Sequence, residues 1–176
     1  MNNISNYIQE KLKINSNTKI KQYKYHPDTW NVLKRLVDKL IKERGNNANL
    51  NDIDTSKIND MSGLFLNSLF NGDISEWDVS NVETMHSMFR SCNFNGDISE
   101  WNVSNVKDMN NMFAYSKFNG DISKWDVSNV TNMHSMFISS KFNKDISKWN
   151  VSNVKDMYWM FDSCPLQKNP PKWYKK

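Results

Sequence analysis

The chain has 176 residues with 23 Lys/Arg and 19 Asp/Glu, enough for one domain or one short repeat array. No stretch approaches the roughly 20 apolar residues of a membrane span, and the start, MNNISNYIQEKLKIN, has no apolar core of the kind a secretory signal carries. Residues 1–45 hold ten Lys/Arg against four Asp/Glu, residues 46–165 nine against fifteen, and residues 166–176 four Lys and no acid; an acidic middle argues against a nucleic-acid surface there.

In chain order, ISNYIQEKL places Ile4, Tyr7, Ile8 and Leu12 on one side of a short helix, and KIKQYKY reads as extended. The basic, aromatic run from Lys11 to His26 fits a solvated segment beside a cap; contact with nucleic acid or an anionic membrane is the alternative. DTWNVLKRLVDKLIKERG reads as an amphipathic helix, with Leu33, Leu36, Val37, Leu40 and Ile41 on one face. Asp28 or Thr29 caps its start and Gly45 its end. Residues 1–45 therefore read as an N-terminal extension and helical cap.

From residue 46 the chain repeats every 24 residues. FNGDISEWDVSNV at Phe70 returns with small changes at Phe94, Phe118 and Phe142. Met61, Met85, Met109, Met133 and Met157 form one column, and Phe65, Phe89, Phe113, Phe137 and Phe161 another. Trp77, Trp101, Trp125 and Trp149 form a third, preceded by Ile53 and followed by Trp173. Regular apolar columns are core packing rather than a ligand box, and a fixed period of this size marks a solenoid. Five repeats occupy 46–165, and 166–176 is a partial sixth coil in which Pro170 and Pro171 block further strand pairing.

Within a repeat, ISEWDVSNV alternates, which predicts a short strand near 76–80 with Trp77 and Val79 inward. The three-residue spacing of Val82, Met85 and Met88 predicts a helical or 3-10 turn behind it. Asn81, Asn105, Asn129 and Asn153 are placed to bond backbone at the corners, and the Gly of FNGD is read as a positive-φ turn residue. Asp73, Asp97, Asp121 and Asp145 read as turn caps; a calcium ladder would need denser Gly and Asp. Cys92 and Cys164 lie three repeats apart, roughly 14 Å by strand rise, too far for a disulfide. Ser68, Ser116 and Ser140 share their column, so a small residue is what that place requires. His86 and His134 read as exposed variable positions.

The pattern W[DN]VSNV..M..MF......FN.DIS.W, with the lead-in from Lys24 to Phe65, resembles the BspA-like leucine-rich repeat surface proteins, known also from Mycoplasma lipoproteins as a domain of unknown function. The resemblance covers about 20–176. It implies an α/β repeat solenoid: a leucine-rich-repeat-like, right-handed coil stack with short parallel strands on one face and an N-terminal helical cap. Ile74, Trp77 and Val79 match its strand pattern, and Asn81 its ladder Asn, one residue early. It also implies adhesion at a cell surface, whereas the missing signal points to the cytoplasm or to a larger or separately exported assembly.

No catalytic constellation stands out: there is no Ser-His-Asp, Cys-His, HExxH or phosphate-loop spacing. The expectation is a non-catalytic protein-binding module that needs no cofactor or metal, with an unidentified protein partner or self-association. A structural module that docks on a cell surface or virion is the alternative. The candidate contact strip is the outward face of the expected strands: Asp52 and Asp54, Glu76 and Asp78, Glu100 and Asn102, Lys124 and Asp126, Lys148 and Asn150. It grades from acidic to more basic along the chain.

Overall fold

A computed structural model of the protein describes residues 22–175; the short helix expected over 4–12 and most of the basic run before Lys24 lie outside them. Among the described residues there is one α-helix, α1 (Trp30–Arg44), and one 3-10 turn, Pro165–Gln167. Otherwise the described residues form turns joined by six isolated parallel bridges, with no strand or sheet among them. The expected α/β solenoid with parallel strands on one face is therefore corrected: no such face forms.

The reason lies in where the backbone bonds go. At the place of the expected strand, Trp77 N–H donates to Ile74 O and Val82 N–H to Val79 O, both inside one repeat. Ser80 N–H donates to the Asp78 side chain. Bonds closed within a repeat leave those groups nothing for a ladder. Trp77 and Val79 are still buried, but side chains make the connections between repeats here. Trp77 Nε1 donates to Leu50 O at 3.0 Å, and Trp101, Trp125, Trp149 and Trp173 reach back 27 residues in the same way. Asn81 Nδ2 donates to Ser56 O at 2.7 Å, with the same bond at Asn105, Asn129 and Asn153.

Most backbone bonding between repeats runs instead through the segment expected to be helical. Met85, Ser87, Phe89 and Ser91 donate to Asp108, Asn110, Met112 and Ala114 carbonyls at 2.8–2.9 Å. The residues between them close i to i−3 turns: Met88 to Met85, Arg90 to Ser87, Cys92 to Phe89. Ser87 and Ser91 sit at φ 54°, as do their 24-residue equivalents from Asn67 to Ser163 within a few degrees. A left-handed residue at every fourth position interrupts an α- or 3-10 helix, so the three-residue apolar spacing reports successive turns.

These turns hold two columns of phenylalanine. Phe65, Phe89, Phe113, Phe137 and Phe161 stack at centroid distances of 5.4–5.9 Å with planes within 5°. Phe70, Phe94, Phe118 and Phe142 stack beside them at 6.1–6.2 Å. The Gly of FNGD stands close to the preceding Phe ring and does not serve a positive φ, which Gly72, Gly96 and Gly120 lack. A Cβ on Gly96 would lie 2.8 Å from the Phe94 ring. In the fourth copy Lys144 stands at that place, exposed.

α1 lies at the start of this core. Leu33, Val37 and Leu40 are buried in it, and Leu36 and Ile41 pack against it. Thr29 is the N-cap through its backbone, its carbonyl accepting Leu33 N–H, with no side-chain cap bond. Gly45, at φ 86°, ends the helix by donating to Ile41 O.

The corner carboxylates hold turns. Asp73, Asp97, Asp121 and Asp145 each accept the N–H two residues on, at 2.8–3.0 Å. Asp54, Asp78 and Asp126 do the same one corner later. Bonds to the Ser99, Ser123 and Ser147 amides lower the pKa of Asp97, Asp121 and Asp145 below the ordinary 3.8, and the Ser56 and Ser128 hydroxyls lead the same effect at Asp54 and Asp126. A carboxylate depressed in the folded state contributes stability above its unfolded pKa and loses it as pH falls through the folded value. The urea midpoint is therefore expected to be level at neutral pH and to drop progressively below about pH 4. A midpoint unchanged down to about pH 2 would show these bonds to be without energetic weight.

The small-residue column has a specific duty. Ser68, Ser116 and Ser140 Oγ accept the N–H of Phe70, Phe118 and Phe142, and Cys92 Sγ accepts that of Phe94. Both cysteines are free and buried, and burial pushes their thiols up.

Candidate interaction surface

The ten residues of the candidate strip fall into two columns at the 24-residue interval, on turns instead of strands, and the columns differ in role. Asp54, Asp78, Asn102, Asp126 and Asn150 each accept the N–H of the serine two residues on. They hold the corner, and Asp54 also meets His26 Nδ1 at 3.2 Å.

The other column is Asp52, Glu76, Glu100, Lys124 and Lys148. Asp52 is tied down: Arg44 grips both carboxylate oxygens at 2.9 and 3.0 Å, which lowers the Asp52 pKa and seats the end of α1. Glu76, Glu100, Lys124 and Lys148 are exposed. Lys124 Nζ lies 3.4 Å from Glu100 where the sign changes; an exposed pair of this kind contributes little to stability.

Past that point the surface is basic. Lys124, Lys144 and Lys148 surround a shallow hollow of about 640 Å³ with Asp121, Asp145 and Ser123. Both aspartates accept serine N–H groups, and nearby lysines hold their carboxyls further down, Lys124 and Lys144 at Asp121 and Lys148 at Asp145.

Of the histidines, His86 is exposed, whereas His134 is half-buried, with Nδ1 3.2 Å from Asp156 and its ring edge-on to Trp159. No helix among the described residues is long and apolar enough to cross a membrane.

A second surface lies at the last repeat. Tyr158 and Trp159 are 69% and 60% exposed, and with Met157 and Tyr174 they line a cavity of about 370 Å³, with Lys155 and Lys175 on its wall. Its signal was present in the sequence. Trp159 stands in the column of Gly63, Ser87, Asn111 and Ser135, and Tyr158 in that of Ser62, His86, Asn110 and His134. Neither column is otherwise apolar.

Against known proteins, no curated protein and no solved structure matches the chain. The family described as Mycoplasma protein of unknown function, DUF285, matches residues 31–138 and 114–175, which takes in α1, the repeats and the segment after them. The chain belongs to this family.

Proposed function

We propose that the chain is a non-catalytic protein-binding module that meets its partner along the row Glu76, Glu100, Lys124 and Lys148. The observation that carries this reading is the division of labour between the two columns: one closes corners, while the other sets exposed charges at a constant 24-residue interval, acidic first and basic last. A row with a charge gradient orients a partner during encounter and raises the association rate. The likeness of the W[DN]VSNV repeat to BspA-like surface proteins supports the same reading and adds a place for it, contact at a cell surface.

The test is a quadruple swap, Glu76→Lys, Glu100→Lys, Lys124→Glu and Lys148→Glu. Folding is expected to be unchanged. Binding to a partner captured from the native host is expected to fall by about tenfold or more, mainly through the association rate, and to become less salt-sensitive. Equal swaps at the exposed Glu43 and Lys117 serve as controls. If these weaken binding as much as the row does, the row is not the contact surface.

A further inference from the structure

Each repeat offers the next a row of four backbone N–H groups, and each row but the last is met in full by carbonyls. Met61, Gly63, Phe65 and Asn67 donate to Thr84, His86, Met88 and Arg90, and the rows from Met85, Met109 and Met133 follow the same register. In the last repeat the equivalent donors are Met157, Trp159, Phe161 and Ser163. Ser163 N–H is taken by Gln167 Oε1 at 3.1 Å. The Phe161 ring packs against Trp173 and Tyr174. The amides of Met157, Trp159 and Phe161 have no acceptor among the described residues. They border the cavity between Trp159, Tyr158 and Tyr174.

We infer that this edge binds an extended segment of a partner protein, which supplies main-chain carbonyls to Met157 and Trp159 and an apolar side chain to the cavity. The four interfaces inside the protein show what complements such an edge: carbonyls two residues apart, with an apolar residue packed beside them. A second copy of this chain is the poorer match: its own last row presents donors against donors, and at its other end the Ser62 carbonyl, the one in register with Trp159 N–H, already accepts Trp30 Nε1 at 2.8 Å. Asp162 on the cavity wall is engaged by Gln167 Nε2 at 3.0 Å, so Lys155 and Lys175 favour an acidic residue in the incoming segment. Addition of a peptide to an open backbone edge draws affinity from main-chain bonds and specificity from the side-chain pocket.

The probe is a capped synthetic peptide of residues 105–116, whose carbonyls perform this task inside the protein, titrated into the isotope-labelled full chain to the order of 1 mM. The amide protons of Met157 and Trp159 are expected to move downfield while those of Glu76 and Glu100 stay. Trp159→Gly keeps the N–H and suits φ 56°, so the fold is retained, and the peptide is expected to bind about tenfold more weakly. Unmoved Met157 and Trp159 amides, an unchanged affinity in Trp159→Gly, or a concentration-dependent dimer that shields these amides without peptide would each overturn the inference. It is independent of the charged row. The quadruple charge swap should leave the titration unaltered, so the two proposals fail separately.

Discussion

Phe113→Ala is expected to lower the stability of the protein by about 3–5 kcal/mol. Phe113 is fully buried. Its ring stacks between Phe89 and Phe137 at 5.6 Å on either side, lies 4.2 Å from Phe118 and touches Trp125. Truncation removes one rung from a column, and both neighbours are held by their own backbone bonds to adjacent repeats, so the cavity closes poorly. Trp173→Ala makes the comparison. Trp173 is only partly buried and has a stacked partner on one side, Trp149 at 6.4 Å. Its loss should cost clearly less in urea unfolding. Equal losses would mean that stability does not depend on the stacked columns.

Removal of residues 1–45 is expected to make the remaining chain aggregate. Leu33, Val37 and Leu40 bury their side chains on the first repeat, at about 1.5–3 kcal/mol each. Polar groups at this end also depend on the segment. Trp30 satisfies Ser62 O, Arg44 holds Asp52 and reaches Asn49 O, and Asp54 N–H bonds Tyr25 O. Without them the first repeat exposes apolar surface together with unpaired backbone, the combination that recruits other chains. Light scattering and size-exclusion chromatography of residues 46–176 decide the matter, and a soluble monomeric fragment would refute a capping role for α1.

Much of the local chemistry was legible because it depends on spacing. Asp97 and Ser99, or Asn102 and Ser104, are neighbours in sequence, so a turn between them needs no distant partner. The apolar face of α1 was legible for the same reason. The binding edge was less so. Trp159 and Tyr158 break their columns, but a departure from a repeat acquires meaning only when the neighbouring repeats show what the backbone there lacks.

By itself the sequence determined the 24-residue register, most of the buried columns, and α1, since each follows from a period in the placement of apolar side chains. Only the tertiary structure decided which backbone groups join one repeat to the next. Alternation at ISEWDVSNV satisfies a strand and a pair of turns equally, because both bury Trp77 and Val79. The choice fell to bonds that the local sequence does not express: Trp77 N–H to Ile74 O within a repeat, and Met85 N–H to Asp108 O between repeats. With Ser87 and Ser91 held left-handed, the second segment carries the connection and the first is left to side chains. Buried backbone groups must find partners, but sequence spacing does not say which partners they find.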